Sequence, residues 1–259
     1  MTPPLFPEAA MDFKGQTVLV TGASRGIGRA TAQAFAACGA QVAGHQRRPG
    51  NEAVAGLSGS GHKSFAAELT DTKQCERLIQ EVAGHYGRID VLVNNAGIYQ
   101  IRPLKGLDLP GWRKTWDETL AANLIAPANL CFLAARVMQS QGGGKIINVS
   151  SRGAFRGEPD AIAYGASKAG LNQMSQSLAQ ALAPDNIFVG VVAPGFVSTD
   201  MAAEILAGPA GDGIRSQSPL NRVATPEEVA QAIVRLAADG MMIATGCILD
   251  LNGASYLRS

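Results

Sequence analysis

The chain has 259 residues, of which 46% are hydrophobic and 17% are charged, and its formal net charge is +1. This balance allows an α/β domain with a sizeable core, and it excludes extensive disorder and a strongly basic nucleic-acid-binding surface. The four cysteines lie far apart and form no CxxC pair, so we predict buried reduced thiols and no metal or redox centre.

The N-terminal residues 1–11 contain three prolines and neither the basic nor the apolar segment of a signal peptide. We therefore expect a flexible extension at residues 1–11 and a single domain at residues 12–259. No apolar run approaches the roughly 18–20 residues of a membrane helix. The expected setting is the cytoplasm, with no membrane or nucleic-acid partner.

A short apolar strand is predicted at residues 17–21, and a glycine-rich turn follows it directly. The turn contains Gly22, Gly26 and Gly28, and an Ala-rich helix is predicted from about residue 29 to residue 37. Glycines allow a tight turn and a close approach of the backbone to a pyrophosphate, while a helix N-terminus offers free N–H groups. Strand, glycine turn and helix together predict a dinucleotide phosphate site.

Strands and helices alternate along the rest of the chain, with a Gly/Pro/Ser-containing section at residues 207–219. This alternation, without a break in composition, predicts one doubly wound, parallel, seven-stranded Rossmann sheet in a single domain. The predicted strands are 41–44, 63–67, 89–93, 145–149, 187–192 and 247–251, and the predicted helices are 72–86, 112–138, 164–183 and 226–238.

Polar and glycine-containing segments follow several of these strands directly. Asn94–Gly97 follows the fourth strand, Ser151 the fifth, and Pro194–Gly195 interrupts the sixth. Ligands bind beyond the carboxyl ends of the strands in such sheets. We therefore expect these segments to line one binding site.

Tyr164 and Lys168 are four residues apart in a predicted helix, which places both side chains on one face. A neighbouring ammonium favours the phenolate and lowers the pKa of a tyrosine. With Ser151, this pair forms a candidate trio for moving a proton to or from a substrate oxygen. The alternative is an ordinary surface pair, because Tyr and Lys at this spacing are common in helices.

From about Lys14 to its C-terminus the chain resembles the short-chain dehydrogenase/reductase family. The resemblance implies hydride transfer between a nicotinamide cofactor and a carbonyl or alcohol, with Tyr164 as general acid or base. It further implies that Ser151 orients the substrate oxygen, that Lys168 also holds the nicotinamide ribose, and that Asn123 holds a water linking Lys168 to solvent. The alternative for Asn123 is a polar residue inside a helix that faces another helix. Pro127, four residues later, should disturb this helix near Asn123. The matching residues are Thr21-Gly22-xxx-Gly26-x-Gly28, Asn94-Asn95-Ala96-Gly97, Asn123, Ser151, Tyr164-xxx-Lys168 and Pro194-Gly195-xxx-Thr199.

The same resemblance implies a set of cofactor contacts spread over the strand ends. One position departs mildly from the family pattern, because Glu68-Leu69 stands where the family usually has Asp and a small apolar residue. The implied cofactor-binding residues are Gly22, Ser24, Arg25, Gly26, Ile27, Gly28, Arg47, Glu68, Leu69, Asn95, Ala96, Gly97, Tyr164, Lys168, Pro194, Gly195, Val197 and Thr199.

The end of the second predicted strand favours NADP(H) over NAD(H). NAD-preferring Rossmann domains place an acidic residue there to hold the ribose 2′-hydroxyl, and Gln46 occupies that position here. Arg47 and Arg48 follow, and Arg25 lies in the glycine turn; guanidinium groups suit a 2′-phosphate. The alternative is that Arg47 and Arg48 are solvated loop charges.

Among family members, the chain resembles the 3-oxoacyl-acyl-carrier-protein reductases most. Enzymes that act on acyl carrier protein need basic residues to meet its acidic surface, and these reductases carry arginines at the ends of the two helices that flank the active-site strand. In this chain the corresponding segments, residues 139–144 and 183–186, are neutral or acidic. We therefore favour a small alcohol or ketone substrate. Residues expected near the substrate are Phe155, Arg156, Phe196 and Met201, with a mobile lid at about 196–220, and Arg156 is either an anion-recognising or a solvent-exposed charge.

Three alternatives to this oxidoreductase remain open. They are a 3-oxoacyl-acyl-carrier-protein reductase proper, a non-catalytic dinucleotide-binding sensor, and a related chemistry such as epimerisation or dehydration. The long apolar helices at 112–138 and 164–183 would leave exposed patches in a monomer. The family packs these helices as a bundle between subunits, which predicts a homotetramer.

Overall fold

The computed structural model describes residues 11–258, except for the side chain of Met201. Most of the predicted extension, residues 1–10, therefore lies outside the described residues. Met11 itself is partly buried against the hydrophobic core, and Phe13 is fully buried beside Phe35, with ring centres 4.9 Å apart. The packed domain thus begins at the last residue assigned to the extension.

Seven parallel strands form one sheet in the order β3-β2-β1-β4-β5-β6-β7, as the sequence predicts. The reversal of strand order between β1 and β4 opens a crevice at the carboxyl edge, where ligands bind in doubly wound sheets. The strands are β1 (Thr17–Val20), β2 (Gln41–Gln46), β3 (Lys63–Ala66), β4 (Val91–Asn94), β5 (Gly144–Val149), β6 (Ile187–Pro194) and β7 (Ile248–Leu251).

Helices cover both faces of the sheet, and successive strand residues point into opposite cores. Val18 and Val20 belong to the core under α1 and α8, whereas Leu19 between them belongs to the core under α2 and α4. The helices are α1 (Gly26–Ala37), α2 (Thr72–Tyr86), α3 (Leu109–Leu120), α4 (Ala126–Ser140), α5 (Ile162–Leu182), α6 (Asp200–Ala207), α7 (Gly211–Arg215) and α8 (Pro226–Leu236).

Two boundaries differ from the sequence-based expectation in ways that affect the site. Strand β6 does not stop at residue 192, because Ala193 and Pro194 still lie in register with Asp250 and Leu251 of β7. The Gly/Pro/Ser-containing section also includes helix, since the lid segment folds into α6 and α7. Pro194 is accommodated because it is the last residue of its strand.

A five-residue π-helical turn, Ala121–Ile125, joins α3 to α4 and contains Asn123. Pro127 explains the irregularity, because proline has no N–H to donate to the carbonyl four residues earlier, which belongs to Asn123. The sequence-based expectation that Pro127 disturbs this helix is confirmed. Asn123 is thereby held where the helix opens toward the site.

The continuous helical stretch Leu109–Ser140 is 32 residues long and has a window of mean hydropathy 1.5. By length and composition alone it passes the criterion for a membrane-crossing helix, so the prediction that no run approaches that length is wrong. Within this stretch, Leu130, Cys131 and Met138 are fully buried in the core beneath α4. The core helix of a folded domain meets the same criterion, so the stretch is weak evidence for a membrane span.

Candidate active site

The glycine turn between β1 and α1 has the tight, side-chain-free shape that a bound pyrophosphate requires. Gly22 and Gly26 adopt left-handed φ angles of 65° and 54°. A Cβ atom at Gly28 would collide with the carbonyl oxygen of Gly22 and lie 2.5 Å from Asn95 Nδ2. Glycine is therefore required at these positions by backbone conformation and by close packing.

The N-terminus of α1 is free to receive an anion. Arg25 precedes the helix in an extended conformation and provides no side-chain cap. The first N–H groups of α1 therefore keep their donor capacity, and the helix dipole favours negative charge there. A Cβ atom at Gly26 would lie 3.3 Å from Thr199 Cγ2, so Thr199 faces the glycine turn. These residues fit the pyrophosphate of a dinucleotide.

Hydrogen bonds fix the ends of β1 and β4 to each other across the crevice. The Thr21 hydroxyl accepts from the backbone N–H groups of Asn95, at 2.9 Å, and Ala96, at 3.0 Å. The Asn95 side chain donates back to the Thr21 carbonyl at 2.8 Å. Asn95, Ala96 and Gly97 are thus brought beside the glycine turn.

His45, which the sequence analysis did not select, holds three strand ends together. Its Nδ1 accepts from the Gly22 N–H at 3.2 Å, and its Nε2 lies 3.0 Å from the Ala67 carbonyl oxygen. An Nδ1 acceptor and an Nε2 donor define a neutral imidazole. Burial lowers the pKa of His45, which favours the same neutral form. Only its position at the end of a strand could have pointed to this role.

The candidate trio of Ser151, Tyr164 and Lys168 lies at the carboxyl end of β5 and in the first turns of α5. Ser151 is extended, and its hydroxyl accepts from the Gly153 N–H at 3.0 Å. Tyr164 is half-buried, with Tyr99 packed edge-on against its ring at a centroid distance of 4.9 Å. Lys168 is buried; its Nζ donates to the Val149 carbonyl at 2.9 Å and lies 5.8 Å from the Tyr164 ring centre.

The pKa values in this trio differ from the sequence-based expectation. Burial raises the pKa of Tyr164 to about 12, while a hydrogen bond with Ser151 acts in the opposite direction. Burial lowers the pKa of Lys168 to about 8. The expected lowering of the Tyr164 pKa by Lys168 is therefore not found: desolvation of the phenolate is the largest cause of the shift, and Lys168 is not among the groups that shift this pKa.

Asn123 is completely buried and its side chain is bound to the segment that follows β4. Its Oδ1 accepts from the Ile98 N–H at 2.8 Å, and its Nδ2 donates to the Ile98 carbonyl at 2.9 Å and to Ser167 Oγ at 3.3 Å. A Cβ atom at Gly97 would lie 3.0 Å from Asn123 Oδ1 and 3.7 Å from Lys168 Nζ. The side-chain amide therefore positions the backbone next to Lys168, and Pro127 has no N–H to give the Asn123 carbonyl its α-helical hydrogen bond.

Two residues expected to contact the cofactor have side chains that point into the core instead. Leu69 is 9% exposed and packs beneath α2 and α4, and Val197 is 7% exposed and packs beneath α8. Any contact from these two positions must come from the backbone. The Glu68 carboxylate accepts from the Thr70 hydroxyl at 3.0 Å and lies at the carboxyl edge after β3.

At the end of β2, the Gln46 side chain turns back onto its own loop. Its Oε1 accepts from the Ala53 N–H at 2.7 Å, and its Nε2 donates to Glu52 at 2.6 Å and to the Arg48 carbonyl at 2.9 Å. Arg47 and Arg48 are exposed, as is Arg25 in the glycine turn. The position that is acidic in NAD-preferring domains thus holds a neutral amide beside two exposed guanidinium groups.

The residues expected near the substrate belong to the segment after β5 and to the lid. Phe155 and Arg156 are half-buried, and Phe196 lies under the Arg152 guanidinium at 5.6 Å. A cavity of about 180 Å³ is lined by Arg152, Phe196 and residues of the lid and the C-terminal segment. The side chain of Met201 lies outside the described part of the chain. Sequence reasoning did not select Arg152 or Tyr99, although Arg152 directly follows Ser151.

Comparison with known proteins agrees with this geometry. A family model described as enoyl-(acyl carrier protein) reductase matches residues 22–253. The 3-oxoacyl-[acyl-carrier-protein] reductase FabG of Escherichia coli is 36% identical over 248 residues, 95% of this chain and 100% of the relative. The D-threitol dehydrogenase of Mycolicibacterium smegmatis is 35% identical over 259 residues, 97% of this chain and 98% of the relative.

Among solved structures, a candidate NAD(P)-dependent gluconate 5-dehydrogenase from Beutenbergia cavernae with bound NADP is similar throughout. Its TM-score is 0.86 at 32% identity, covering 95% of this chain and 98% of that one. This NADP-bound neighbour and the fit of the glycine turn support a nicotinamide cofactor. The chain belongs to the short-chain dehydrogenase/reductase family of oxidoreductases, within which it resembles the 3-oxoacyl-[acyl-carrier-protein] reductases.

Proposed function

We propose that this protein is an NADP(H)-dependent oxidoreductase that interconverts a small ketone and its alcohol, with Tyr164 as the proton donor or acceptor. The observation that carries the proposal is the clustering of Ser151, Tyr164 and buried Lys168 at the sheet edge that also holds the uncapped N-terminus of α1. Proton-transfer groups thus lie at the edge where a dinucleotide fits. A bound nicotinamide would supply or accept the hydride.

In the reducing direction, the substrate carbonyl gains a hydride at carbon and a proton at oxygen. Because burial raises the pKa of Tyr164 to about 12, the phenol keeps its proton at neutral pH and can donate it. In this proposal the Ser151 hydroxyl hydrogen-bonds the oxygen as negative charge develops on it. In the oxidising direction the alcohol proton passes to the Tyr164 phenolate.

Replacing Tyr164 by phenylalanine tests this role, because it removes the hydroxyl and keeps the ring that packs on Tyr99. We expect kcat to fall by about 10²–10⁴-fold, with the affinity for NADPH kept within about threefold. NADPH oxidation with a ketone panel and NADPH titration measure the two quantities. Full turnover by Tyr164→Phe would refute the acid–base role, and absence of nicotinamide binding by the wild type would favour a different function altogether.

The preference for NADP(H) is supported by the end of β2. The neutral Gln46 is held by Glu52 and Ala53, while Arg47 and Arg48 are exposed beside it. Guanidinium groups bind a phosphate by charge-assisted, bidentate hydrogen bonds. We expect kcat/KM with NADPH to exceed that with NADH at least about tenfold, since one such contact contributes about 1.5–3 kcal/mol.

The double variant Arg47→Ala/Arg48→Ala should lose most of this preference, whereas Arg235→Ala on the exposed face of α8 should keep it. The measurement is kcat/KM with each cofactor at a fixed ketone concentration. A higher kcat/KM with NADH in the wild type would contradict the assignment.

The helix ends implicated in acyl-carrier-protein binding remain unsuited to that partner. Gln139 near the end of α4 donates to Asp185 after α5 at 2.6 Å, so the two segments contact each other and present no basic residue there. The similar proteins are named for an acyl-carrier substrate, for threitol and for gluconate, so relatives of this fold act on several substrates. We therefore propose a small free substrate.

The principal alternative is reduction of a 3-oxoacyl group on acyl carrier protein, which the likeness to the Escherichia coli reductase favours. An assay with acetoacetyl-acyl carrier protein and the free ketone panel separates the two. If the carrier-bound substrate is the natural one, kcat/KM should be much higher with acetoacetyl-acyl carrier protein than with any free ketone.

We also propose a cytoplasmic setting: the four cysteines are all free thiols, as in proteins of reducing compartments.

A further inference from the structure

Two arginines converge on one neutral oxygen immediately after the catalytic serine. Arg152 Nη1 donates to Gln217 Oε1 at 2.9 Å and to Ser255 Oγ at 2.8 Å, and Arg156 Nη1 donates to the same Gln217 oxygen at 2.8 Å. Arg152 is 4% exposed and Arg156 is half-buried. Three segments therefore meet here: the one after β5, the lid and the C-terminal segment.

The cluster carries more positive than negative charge. Glu158 is the one described carboxylate within 4 Å of Arg152, with Nη2 and Oε1 3.8 Å apart, and Arg156 forms no ion pair with a described residue. Burial and Arg156 both lower the pKa of Arg152, and Glu158 raises it. Two guanidinium groups against one carboxylate leave an excess of one positive charge, which is costly at a buried site unless an anion balances it.

Neighbouring arginines do not share this imbalance. Arg222, which lines the same cavity, is paired with Glu228 at 2.6 Å, and Arg258, which stacks on Phe155, is paired with Asp250 at 2.7 Å. The excess charge is thus confined to the Arg152–Arg156 pair. Arg152 directly follows Ser151 in the chain and lines the cavity between Phe196 and the lid, and Arg156 reaches the same Gln217 oxygen from the side of the segment after β5.

We infer that the Arg152–Arg156 pair binds a carboxylate group of the substrate, so that the enzyme acts on an oxo acid and the corresponding hydroxy acid. A carboxylate carries the single negative charge that balances the excess, whereas a phosphate ester carries about −1.5 to −2. The two oxygens of a carboxylate can accept two parallel hydrogen bonds from one guanidinium group. The inference rests on the proposed ketone–alcohol chemistry at Tyr164, which the substrate's carbonyl would face.

Arg152 and Gln217 also tie the lid to the body of the domain, and a purely structural role makes a different prediction. Gln217→Glu keeps the shape of the side chain and places a carboxylate between the two guanidinium groups. If the pair only holds the lid, this ion pair leaves substrate selectivity unchanged. If the pair binds a substrate carboxylate, the new charge competes with it.

The test compares oxo acids with their methyl esters, which keep the ketone and remove the charge. Pyruvate, acetoacetate and levulinate place the carboxylate at increasing distance from the carbonyl, and each is assayed with NADPH beside its ester. For the wild type we expect the best acid to exceed its ester at least about tenfold in kcat/KM. Arg156→Gln and Gln217→Glu should each raise KM for that acid about 10- to 100-fold and lower the acid-to-ester ratio of kcat/KM by a similar factor.

The matched control is Arg235→Gln, which removes an exposed arginine of α8 and should retain the acid-to-ester ratio. A wild-type ratio near one for all three pairs, or ratios unchanged in both cluster variants, overturns the inference while leaving the ketone reductase proposal intact. Preference for dihydroxyacetone phosphate over every oxo acid also overturns the choice of a carboxylate.

Calorimetric titration of the three acids and esters separates this inference from the proposed function. If no ketone is turned over, binding of an acid but not its ester, abolished in Arg156→Gln, supports the carboxylate site and refutes the reaction. Absence of such binding refutes the site.

Discussion

At the level of single residues, the active site is governed by how deeply its titratable groups are buried. Tyr164 and Lys168 have the residue types and spacing expected of an acid–base pair. Burial raises the pKa of Tyr164 and lowers the pKa of Lys168, so it favours the neutral form of each side chain. Glu158 and Tyr99 further raise the pKa of Tyr164. In the proposed reaction, the protonated phenol is the form that reduces a ketone and the phenolate is the form that oxidises an alcohol.

The two directions of the reaction should therefore respond to pH with opposite sign. The raised pKa of Tyr164 keeps the phenol protonated through neutral pH, so kcat/KM for reduction should stay level from pH 6 to 7.5 and not increase above that. Oxidation needs the phenolate, so its kcat/KM should rise continuously between pH 6 and 9. Profiles with one ketone–alcohol pair test this, and an oxidation rate that falls as the pH rises would contradict it.

At the level of secondary-structure elements, helix ends are controlled by local sequence, whereas the site depends on irregularities. Helix α8 begins at a capping box in which Thr225 accepts from the Glu228 N–H at 3.3 Å and Glu228 accepts from the Thr225 N–H at 2.9 Å. By contrast, the π-helical turn at Ala121–Ile125 and the uncapped start of α1 are unfavourable for a helix taken alone. Both irregular features lie at the predicted site.

Thr225→Ala should destabilise the protein without affecting the active site. Loss of a capping hydroxyl costs about 1 kcal/mol, so the midpoint of urea unfolding should fall while KM and kcat stay within about twofold. Thr225→Ser keeps the hydroxyl and should retain most of the stability. A change in KM equal in both variants would show that α8 is coupled to the site.

At the level of the whole molecule, two groups of exposed apolar side chains indicate assembly. Ile125 and Phe132, seven residues apart on one face of the long helix, are 52% and 63% exposed, and Ile243 and Leu257 near the C-terminus are 98% and 77% exposed. Separate apolar patches of this kind mark protein–protein contacts. Two self-associating patches are what a symmetric tetramer needs, so the homotetramer remains our proposal.

Phe132→Lys should disrupt one of the two interfaces. A lysine at a buried interface position leaves an unpaired charge, so we expect a species of half the wild-type mass by light scattering at micromolar concentration. Gln231→Lys, at an exposed position of α8, adds the same charge elsewhere and should keep the wild-type mass. A monomeric wild type would contradict the proposal.

The sequence by itself determined the parallel sheet, the glycine turn, the spacing of Tyr164 and Lys168, and the irregular helix before Pro127. These features depend on local periodicity, glycine conformation and proline chemistry, which act within a few residues. Only the tertiary structure decided the partners and pKa values, because burial and long-range contacts set them. Arg152 and Ser255 are 103 residues apart in sequence but form a hydrogen bond. The neutral imidazole of His45 links three strand ends through its bonds to Gly22 and Ala67. The upward shift of the Tyr164 pKa likewise follows from desolvation by the folded chain.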